Sequence, residues 1–449
     1  MIRTRFAPSP TGDLHIGGLR TALYSYALAK HSKGKFVLRI EVTDKKREVP
    51  EGKEKIQKIL KTFGLEWDEY FVQSELAKDG RYKKAAEELV NKGQAFYCDC
   101  QPKNAKEEGF SKEVRDPCRD KNLTSGAIKL KVPENQKVSF KDFVLGKVVE
   151  WDTTTVPDTT LLKSDGLPTY HLAVVVDDHE MDISHVLRGH DWMPSTPIHL
   201  LVYKFLGYTI PEIGHLTDIL DPEGGKLSKR KGSASCEGLL KDGYLPEAIL
   251  NFVMLLGWAP KDDRELFTLE EFVETFDPAG FQKSNPVFNR EKLDWFNGHY
   301  IREKSEEELF EILKPFVPEG ADVEKVKKTI PLIKERISKL SDFASLAGFI
   351  FEPYSKIEPK TNISPNYSPH ISLATQSLQK LDKWNLDSVN QALGAVIQDS
   401  GFKTGEFYMD LRGTISGNTI TPPINESIAI IGKDETIKRL EKGLGEAKK

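Results

Sequence analysis

Apolar side chains recur along the first hundred residues with two alternating periods. Residues 4–7 read as a short strand running into the turn sequence Pro-Ser-Pro-Thr-Gly, and 14–30 place Leu19, Ala22, Leu23, Tyr26 and Ala27 at helical spacing. Residues 35–42 (Lys-Phe-Val-Leu-Arg-Ile-Glu-Val) predict a second strand and 51–63 an amphipathic helix. Strand–helix–strand–helix order points to a parallel α/β unit. From about 95 to 151 the pattern breaks: cysteines cluster, charges mix, and short β-like pieces (127–132, 147–151) appear, as in an insertion. Residues 170–176 (Tyr-His-Leu-Ala-Val-Val-Val) then predict a buried strand ending in Asp177 and Asp178, followed by 184–188 and a helix over 196–206. Beyond Pro246 strands largely vanish. Helices are predicted over 247–256, 268–276, 290–297, 305–316, 323–346, 372–384 and 386–398, and a charged one over 434–448. The glycine-containing stretch 411–420 is not expected to be helical.

Composition narrows the class. The chain has 449 residues, 39% of them hydrophobic, which at roughly 100–200 residues per domain allows two to four domains with real cores. Its 64 basic and 68 acidic side chains leave a net charge of −4. That excludes a protein holding nucleic acid by bulk electrostatics, though not one with a local basic face. No apolar run approaches the ~20 residues of a membrane span, and Met-Ile-Arg-Thr-Arg leads into Phe-Ala-Pro-Ser-Pro, so no secretory leader is expected. Four cysteines are too few for a disulfide scaffold, and a cytoplasmic chain with reduced thiols is the expectation.

Two constellations carry chemistry. In Arg3-Thr-Arg-Phe-Ala-Pro-Ser-Pro-Thr-Gly-Asp-Leu-His-Ile-Gly-Gly a strand meets a Pro/Gly turn, and a helix begins around His15. Such a turn offers backbone N–H groups and a helix N-terminus to an anion; a plain turn capped by His15 is the bland alternative. In Gly224-Gly-Lys-Leu-Ser-Lys-Arg-Lys-Gly232 a glycine-bounded loop concentrates Lys226, Lys229, Arg230 and Lys231. A dense positive loop can neutralise charge on a triphosphate as pyrophosphate leaves, although a charge run is more often a solvated surface. The two features together are harder to dismiss than either alone.

His15-Ile-Gly-Gly18 resembles the HIGH signature, and Lys226-Leu-Ser-Lys-Arg230 the KMSKS signature, of class I aminoacyl-tRNA synthetases. The phrase from Arg5 to Gly18 is similar to the glutamyl branch in its bacterial form. So are Leu38-Arg-Ile-Glu41, Pro168-Thr-Tyr-His171, Val186-Leu-Arg-Gly189, Ser195-Thr-Pro197 and Asn297-Gly-His-Tyr-Ile-Arg302. The match runs in order to about Glu303 and is weaker in the last third. The resemblance implies a Rossmann-like parallel-sheet catalytic domain with an inserted α+β acceptor-binding domain, then all-α domains. The boundaries expected are 1–94 and 166–240 for the two catalytic halves, 95–165 for the acceptor-stem insertion, 241–303 for a helical stem-contact domain and 304–449 for the anticodon region.

It further implies ATP-dependent ligation of L-glutamate to the 3′ end of tRNA-Glu through a glutamyl-adenylate, with Mg²⁺ accompanying ATP. A non-discriminating enzyme that also charges tRNA-Gln is the alternative, and a monomer is the family expectation. Catalytic roles fall on His15, Gly17, Lys226, Ser228 and Lys229, and ATP contacts on Pro10, Gly12, His15, Gly17, Gly18, Asp191 and Lys229. Rivals are a truncated relative that modifies a tRNA base, a small-molecule ligase, and a non-catalytic RNA-binding relative. The long helical stretch after Asn297 speaks against the first two, and retention of His15, Gly17 and Lys229 against the third.

Charge alone argues for the amino-acid pocket. Glutamate carries two carboxylates and an ammonium, so Arg5 and Arg188 can supply forked donors and Glu41 an acceptor, with Ser9, the Ala7 backbone and the Tyr170 hydroxyl adding hydrogen bonds. These are the positions matching the family's glutamate-binding motifs. Departures stand at Val42, where the family has aspartate, at Val174, where many relatives have asparagine, and at His190-Asp191, where two glutamates are common. They touch fine contacts to glutamate and ribose, not the reaction class. Cys98, Cys100 and Cys118 suggest tetrahedral Zn²⁺, which several glutamyl enzymes bind in this region. The fourth ligand is open, with Asp116 and Asp120 in the obvious places; a site that kept its thiols and lost the metal is the alternative. Cys236 reads as an inert thiol. Phe407, Tyr408 and Arg412 are candidates for anticodon stacking, with a place in the core the commoner role for individual members of the trio, and Lys325-Val-Lys-Lys328 reads as a solvated helix face.

Overall fold

The computed structural model describes residues 1–41, 51–100, 114–227 and 234–447. They form two compact units, one made of 1–239 with 249–290 and the other of 240–248 with 291–449.

In the first unit, strands β1 (Arg3–Phe6), β2 (Lys35–Ile40) and β3 (Glu69–Val72) pair in parallel in that order. The residues of β1 and β2 are mostly buried, as the continuous apolar runs of a covered parallel sheet require, while β3 keeps only Val72 fully inside. The helix Ile16–His31 returns the chain from β1 to β2. β3 is followed by the region that was expected as an insertion. There β4 (Ala95–Cys98), β5 (Ala127–Leu130) and β8 (Thr160–Leu162) form an antiparallel sheet, and β6 (Lys137–Asp142) and β7 (Lys147–Asp152) a hairpin. The chain then re-enters the parallel layer as β9 (His185–Gly189), paired with β10 (Glu212–Leu216). The Ser184 amide donates to the Arg3 carbonyl (3.0 Å), which sets β9 beside β1 on the side away from β2. The strand order therefore reverses at β1. In an open α/β sheet the crevice beyond the strand ends at such a reversal is where ligands bind.

One predicted strand is a helix. Residues 170–176 belong to the helix Tyr170–Glu180, in which Leu172 to Val176 are all buried. They pack with the helices Arg81–Asn91 and Thr196–Leu206 and with β8, in a core that includes Leu89, Leu161 and Leu201. A helix buried on every side loses the 3.6-residue alternation, so a run of valines reads equally well as a strand.

The second unit is helical among its described residues. The predicted helix 323–346 divides into Val323–Ile333 and Asp342–Ala347. Pro331 lacks the N–H that would continue the ladder and ends the first helix within two residues. The stretch expected to avoid helix lies largely within Thr404–Ser416. Gly413 is needed there for close packing, since a Cβ at this position would collide with the Ile363 side chain and press on the Lys360 carbonyl. Phe407 is fully buried against Phe402 and His370, so it is a core residue and drops out of the stacking candidates. Tyr408 is half-buried, and Arg412 donates from Nε to Thr421 Oγ1 (3.0 Å).

Gly34 fixes where β2 begins relative to β1. Its amide closes the preceding helix on the Ala29 carbonyl (2.8 Å), and a Cβ at this position would strike the Ile2 carbonyl, which accepts from Lys35 N. Backbone cannot step aside as a side chain can. Gly34→Ala is expected to destabilise the first unit by about 1–3 kcal/mol, read as a lowered midpoint in urea unfolding.

Candidate active site

The ends of β1, β2 and β9 open into one cavity of about 260 Å³. Its walls include Arg5, Ala7 and Ser9 from the end of β1 and the residues after it, Glu41 from just beyond β2, Arg188 from β9, and Tyr170 from the first turn of the helix Tyr170–Glu180. The six residues expected to hold glutamate thus line a single space. Thr21 and Trp192 also line it and were not singled out from the sequence. Trp192 packs on the Tyr170 ring with centroids 4.1 Å apart. Only tertiary packing brings it there, since nothing in its local sequence distinguishes it from a surface tryptophan.

Beneath the cavity lies a buried ionic cluster. Arg39, wholly buried, reaches Asp178 (2.7 Å), Glu41 (3.0 Å) and Asp177 (3.9 Å). Burial opposes its charge, but these three carboxylates hold its guanidinium well above the usual arginine range. Asp177 is further satisfied by Gln73 Nε2 and the Tyr82 hydroxyl, each at 2.7 Å. Arg5 donates to Asp178 (3.2 Å) and from Nη1 to the Leu187 carbonyl (3.2 Å), so it is anchored from below. Burial raises the Glu41 carboxyl while Arg39 lowers it, and the net shift is upward.

Arg188 is held differently. Nε donates to His215 Nε2 (3.0 Å), Nη1 to His199 Nδ1 (3.0 Å) and Nη2 to Thr196 Oγ1 (2.8 Å). Among the described residues no carboxylate stands at ion-pair distance from it. Burial pulls its pKa down. The three histidines around it are kept neutral by the same desolvation: His171 is pushed down to about 4, His199 goes well below the ordinary value, and His215 is lowered despite Asp142. A buried cation surrounded by neutral acceptors is an anion site.

The turn after β1 leads to His15, the N-cap of the helix Ile16–His31, whose Nδ1 accepts from Gly17 N (3.1 Å). The capping role that was the bland alternative is therefore present, and it leaves the proton of a neutral ring on Nε2. Ile16 N donates to the Ala234 carbonyl (2.9 Å) and Cys236 N to the Leu14 carbonyl (2.8 Å). These bonds fasten the segment after the basic loop to the His15 turn. At the other end of the loop Leu227 N donates to Ile219 O (2.8 Å). The two motifs, more than two hundred residues apart in sequence, are thus joined. Lys226 is paired with Asp191 (2.5 Å) and Asp218 (2.9 Å). Ser228 and Lys229 lie outside the described residues. Pro10 touches Gly52, where a Cβ would press on its ring and carbonyl; Gly12 takes φ 135°. Gly18 packs against Leu14.

Residues 1–295 match the family of class I tRNA synthetases (E and Q), catalytic domain, and 308–444 match an anticodon-binding domain. The chain is 36% identical to a glutamate–tRNA ligase of Treponema denticola, covering 99% of each chain. It is 38% identical to one of Dehalococcoides mccartyi, over 98% of this chain and 96% of the other. A crystal structure of a glutamate tRNA ligase from Elizabethkingia meningosepticum in complex with its amino acid superposes with a TM-score of 0.84 at 33% identity, covering 99% of each chain. The chain belongs to the glutamate–tRNA ligase family of class I synthetases. Its parallel catalytic sheet, the insertion between β3 and β9, and the helical second unit are the architecture of that family.

A family member with this insertion raises the question of metal. Cys98, Cys100, Asp116 and Cys118 bring one ligand atom each within 4.8 Å of one another. Tetrahedral zinc with Zn–S near 2.3 Å sets its ligands roughly 3.8 Å apart, so the donor set fits. Asp120 is not in the cluster; Lys131 reaches it at 3.4 Å. Burial pushes the Cys98 thiol up to about 12. Asp116 already accepts from Lys129 (2.5 Å) and from Cys118 N (2.8 Å). Cys236 is fully buried and its thiol is pushed well up by burial, in keeping with an inert role.

The neutral histidines give this site a pH signature. Their folded pKa values lie below the ordinary 6.5, so the unfolded chain binds more protons on acidification. Stability is fully present above pH 6.5 and falls as pH drops toward the His171 value of about 4. Each histidine should contribute about 1.4 kcal/mol per pH unit in that window. His171→Gln and His199→Gln should each flatten the slope of unfolding free energy against pH, measured in urea between pH 6.5 and 4.5.

Proposed function

We propose that this chain joins L-glutamate to the 3′ end of tRNA-Glu at the expense of ATP, in two steps. The observation that carries this reading is Arg188, a buried guanidinium at the wall of a small cavity with no carboxylate of its own among the described residues. A carboxylate of the substrate completes it, whereas the neutral amide of glutamine, with one acceptor oxygen and no charge, would satisfy it poorly. Arg5 takes a second carboxylate contact, Glu41 accepts from the ammonium, and Ser9, the Ala7 backbone and Tyr170 complete the pocket.

In the first step the α-carboxylate attacks the α-phosphorus of ATP and pyrophosphate leaves. In the second a terminal ribose hydroxyl attacks the carbonyl of the adenylate and AMP leaves. Little covalent help is needed, so positioning and charge neutralisation dominate. The turn that carries Pro10, Gly12, His15, Gly17 and Gly18 receives the nucleotide. Ser228 and Lys229 meet the departing pyrophosphate, and Lys226, tethered by Asp191 and Asp218, anchors their loop. Mg²⁺, when it accompanies ATP, screens phosphate charge. The functional division runs 1–94 and 166–240 for the catalytic halves, 95–165 for the part receiving the acceptor stem, 241–303 for the stem-contact part and 304–449 for the anticodon region. Zinc, held by Cys98, Cys100, Cys118 and Asp116, would cross-link the end of β4 to the segment after residue 114.

Aminoacylation with purified tRNA-Glu and tRNA-Gln, offering glutamate and glutamine separately, tests the reading. Glutamate is expected to be charged and glutamine rejected; preferential charging of glutamine would overturn it. Arg188→Leu should lower kcat/KM for glutamate by about 100-fold or more, as for loss of a charged hydrogen-bonding partner. Metal analysis of the purified chain should find close to one zinc per molecule, falling to a small fraction in Cys98→Ser. An unchanged metal content in that variant would exclude this donor set.

A further inference from the structure

Arg188 is set by more than its immediate neighbours. His215, on β10, accepts from Arg188 Nε at Nε2, so the proton of its neutral ring sits on Nδ1 and is donated to Asp142 Oδ2 at 2.7 Å. Asp142 closes β6, and its carboxylate is fixed in turn by the Val144 and Leu145 amides (3.0 and 2.9 Å) and by the His215 amide (3.2 Å). All four side chains of this set, Asp142, His215, Thr196 and Arg188, are buried. Donation runs in one direction, guanidinium to imidazole to carboxylate, and each ring nitrogen has a single possible role. Thr196 supports the same geometry, with Oγ1 3.2 Å from His215 Nε2. Three of the five guanidinium N–H groups point into this scaffold, which leaves the other two on the cavity side, where the Tyr170 hydroxyl also stands.

We propose that Asp142 and His215 are positioning residues for substrate selection: they fix the tautomer and orientation that aim the remaining N–H groups of Arg188 at a carboxylate in the cavity. The inference rests on the glutamate reading above. Asp142 sits on the hairpin of the insertion, distant in sequence from the motif positions, and touches nothing in the cavity. Removing the acceptor at His215 Nε2 frees the guanidinium to turn and leaves its Nε–H unpaired in a dry site.

The test measures L-glutamate and ATP affinities of the full chain by equilibrium titration, and glutamylation of tRNA-Glu alongside. His215→Leu is expected to weaken glutamate about tenfold and to leave ATP within about twofold. His215→Gln, which keeps an acceptor for Arg188 Nε, should restore most of the loss, and Asp142→Asn should fall between them. Equal weakening of glutamate and ATP, or identical behaviour of the Leu and Gln variants, would show a merely structural role and overturn the proposal. So would wild-type glutamate affinity in His215→Leu. A wild type that binds glutamate without charging tRNA would sink the functional reading while the same titrations still judge the relay. A wild type that binds no glutamate would sink both.

Discussion

Three guanidinium groups lie at the ends of the parallel strands, and the distribution of carboxylates among them is the constraint on which the rest depends. Arg39 is compensated by Asp177, Asp178 and Glu41, and Arg5 shares Asp178. Arg188 has imidazoles and a hydroxyl instead. A desolvated cation costs several kcal/mol when left uncompensated, so the fold can keep Arg188 there only by hydrogen-bonding it closely on one side. The other side is then reserved for an anion. Specificity arises from an incomplete charge balance built into the protein, which the correct ligand completes.

The parallel sheet supplies the place for this arrangement. Because β9 lies beside β1 on the side opposite β2, the two helical connections diverge and leave a crevice at the strand ends. The ionic cluster under the crevice joins β1, β2 and the helix Tyr170–Glu180, three pieces that share no local sequence contact. Removing Arg39 would leave three acidic groups facing one another in a dry interior, so this cluster maintains the pocket as well as filling the space beneath it. The same crevice borders the His15 turn, to which the residues after the basic loop are hydrogen-bonded. The cavity and the His15 turn are thus parts of one end of one sheet.

The insertion does more than interrupt the catalytic unit. Its hairpin contributes Asp142 to the core of the site, where burial and the surrounding amides fix the carboxylate. At the far end of the insertion, three thiols and a carboxylate gather around a point suited to zinc. A metal there would reinforce a small apolar cluster, which among the described residues consists of Phe96, Cys98 and Cys118 with Leu123 packed against it.

Much of this was legible in the amino-acid sequence. The motif order, the two arginines, Glu41, Tyr170 and the cysteine spacing could be read directly, because catalytic turns use residue types that few other turns need. Helical runs with one polar face could be read as well. What the sequence could not settle were elements buried on all sides: residues 170–176 look like a strand because a fully enclosed helix has no polar stripe, and Phe407 looks exposed only if Thr404–Ser416 is taken for a loop. Trp192 and Thr21 entered the pocket, and Asp142 and His215 came to support Arg188, through packing between segments far apart in the chain. Local sequence encodes which chemistry a residue can perform. Which buried group faces which is decided only when the strands pair, because desolvation and counter-charge are properties of the assembled interior.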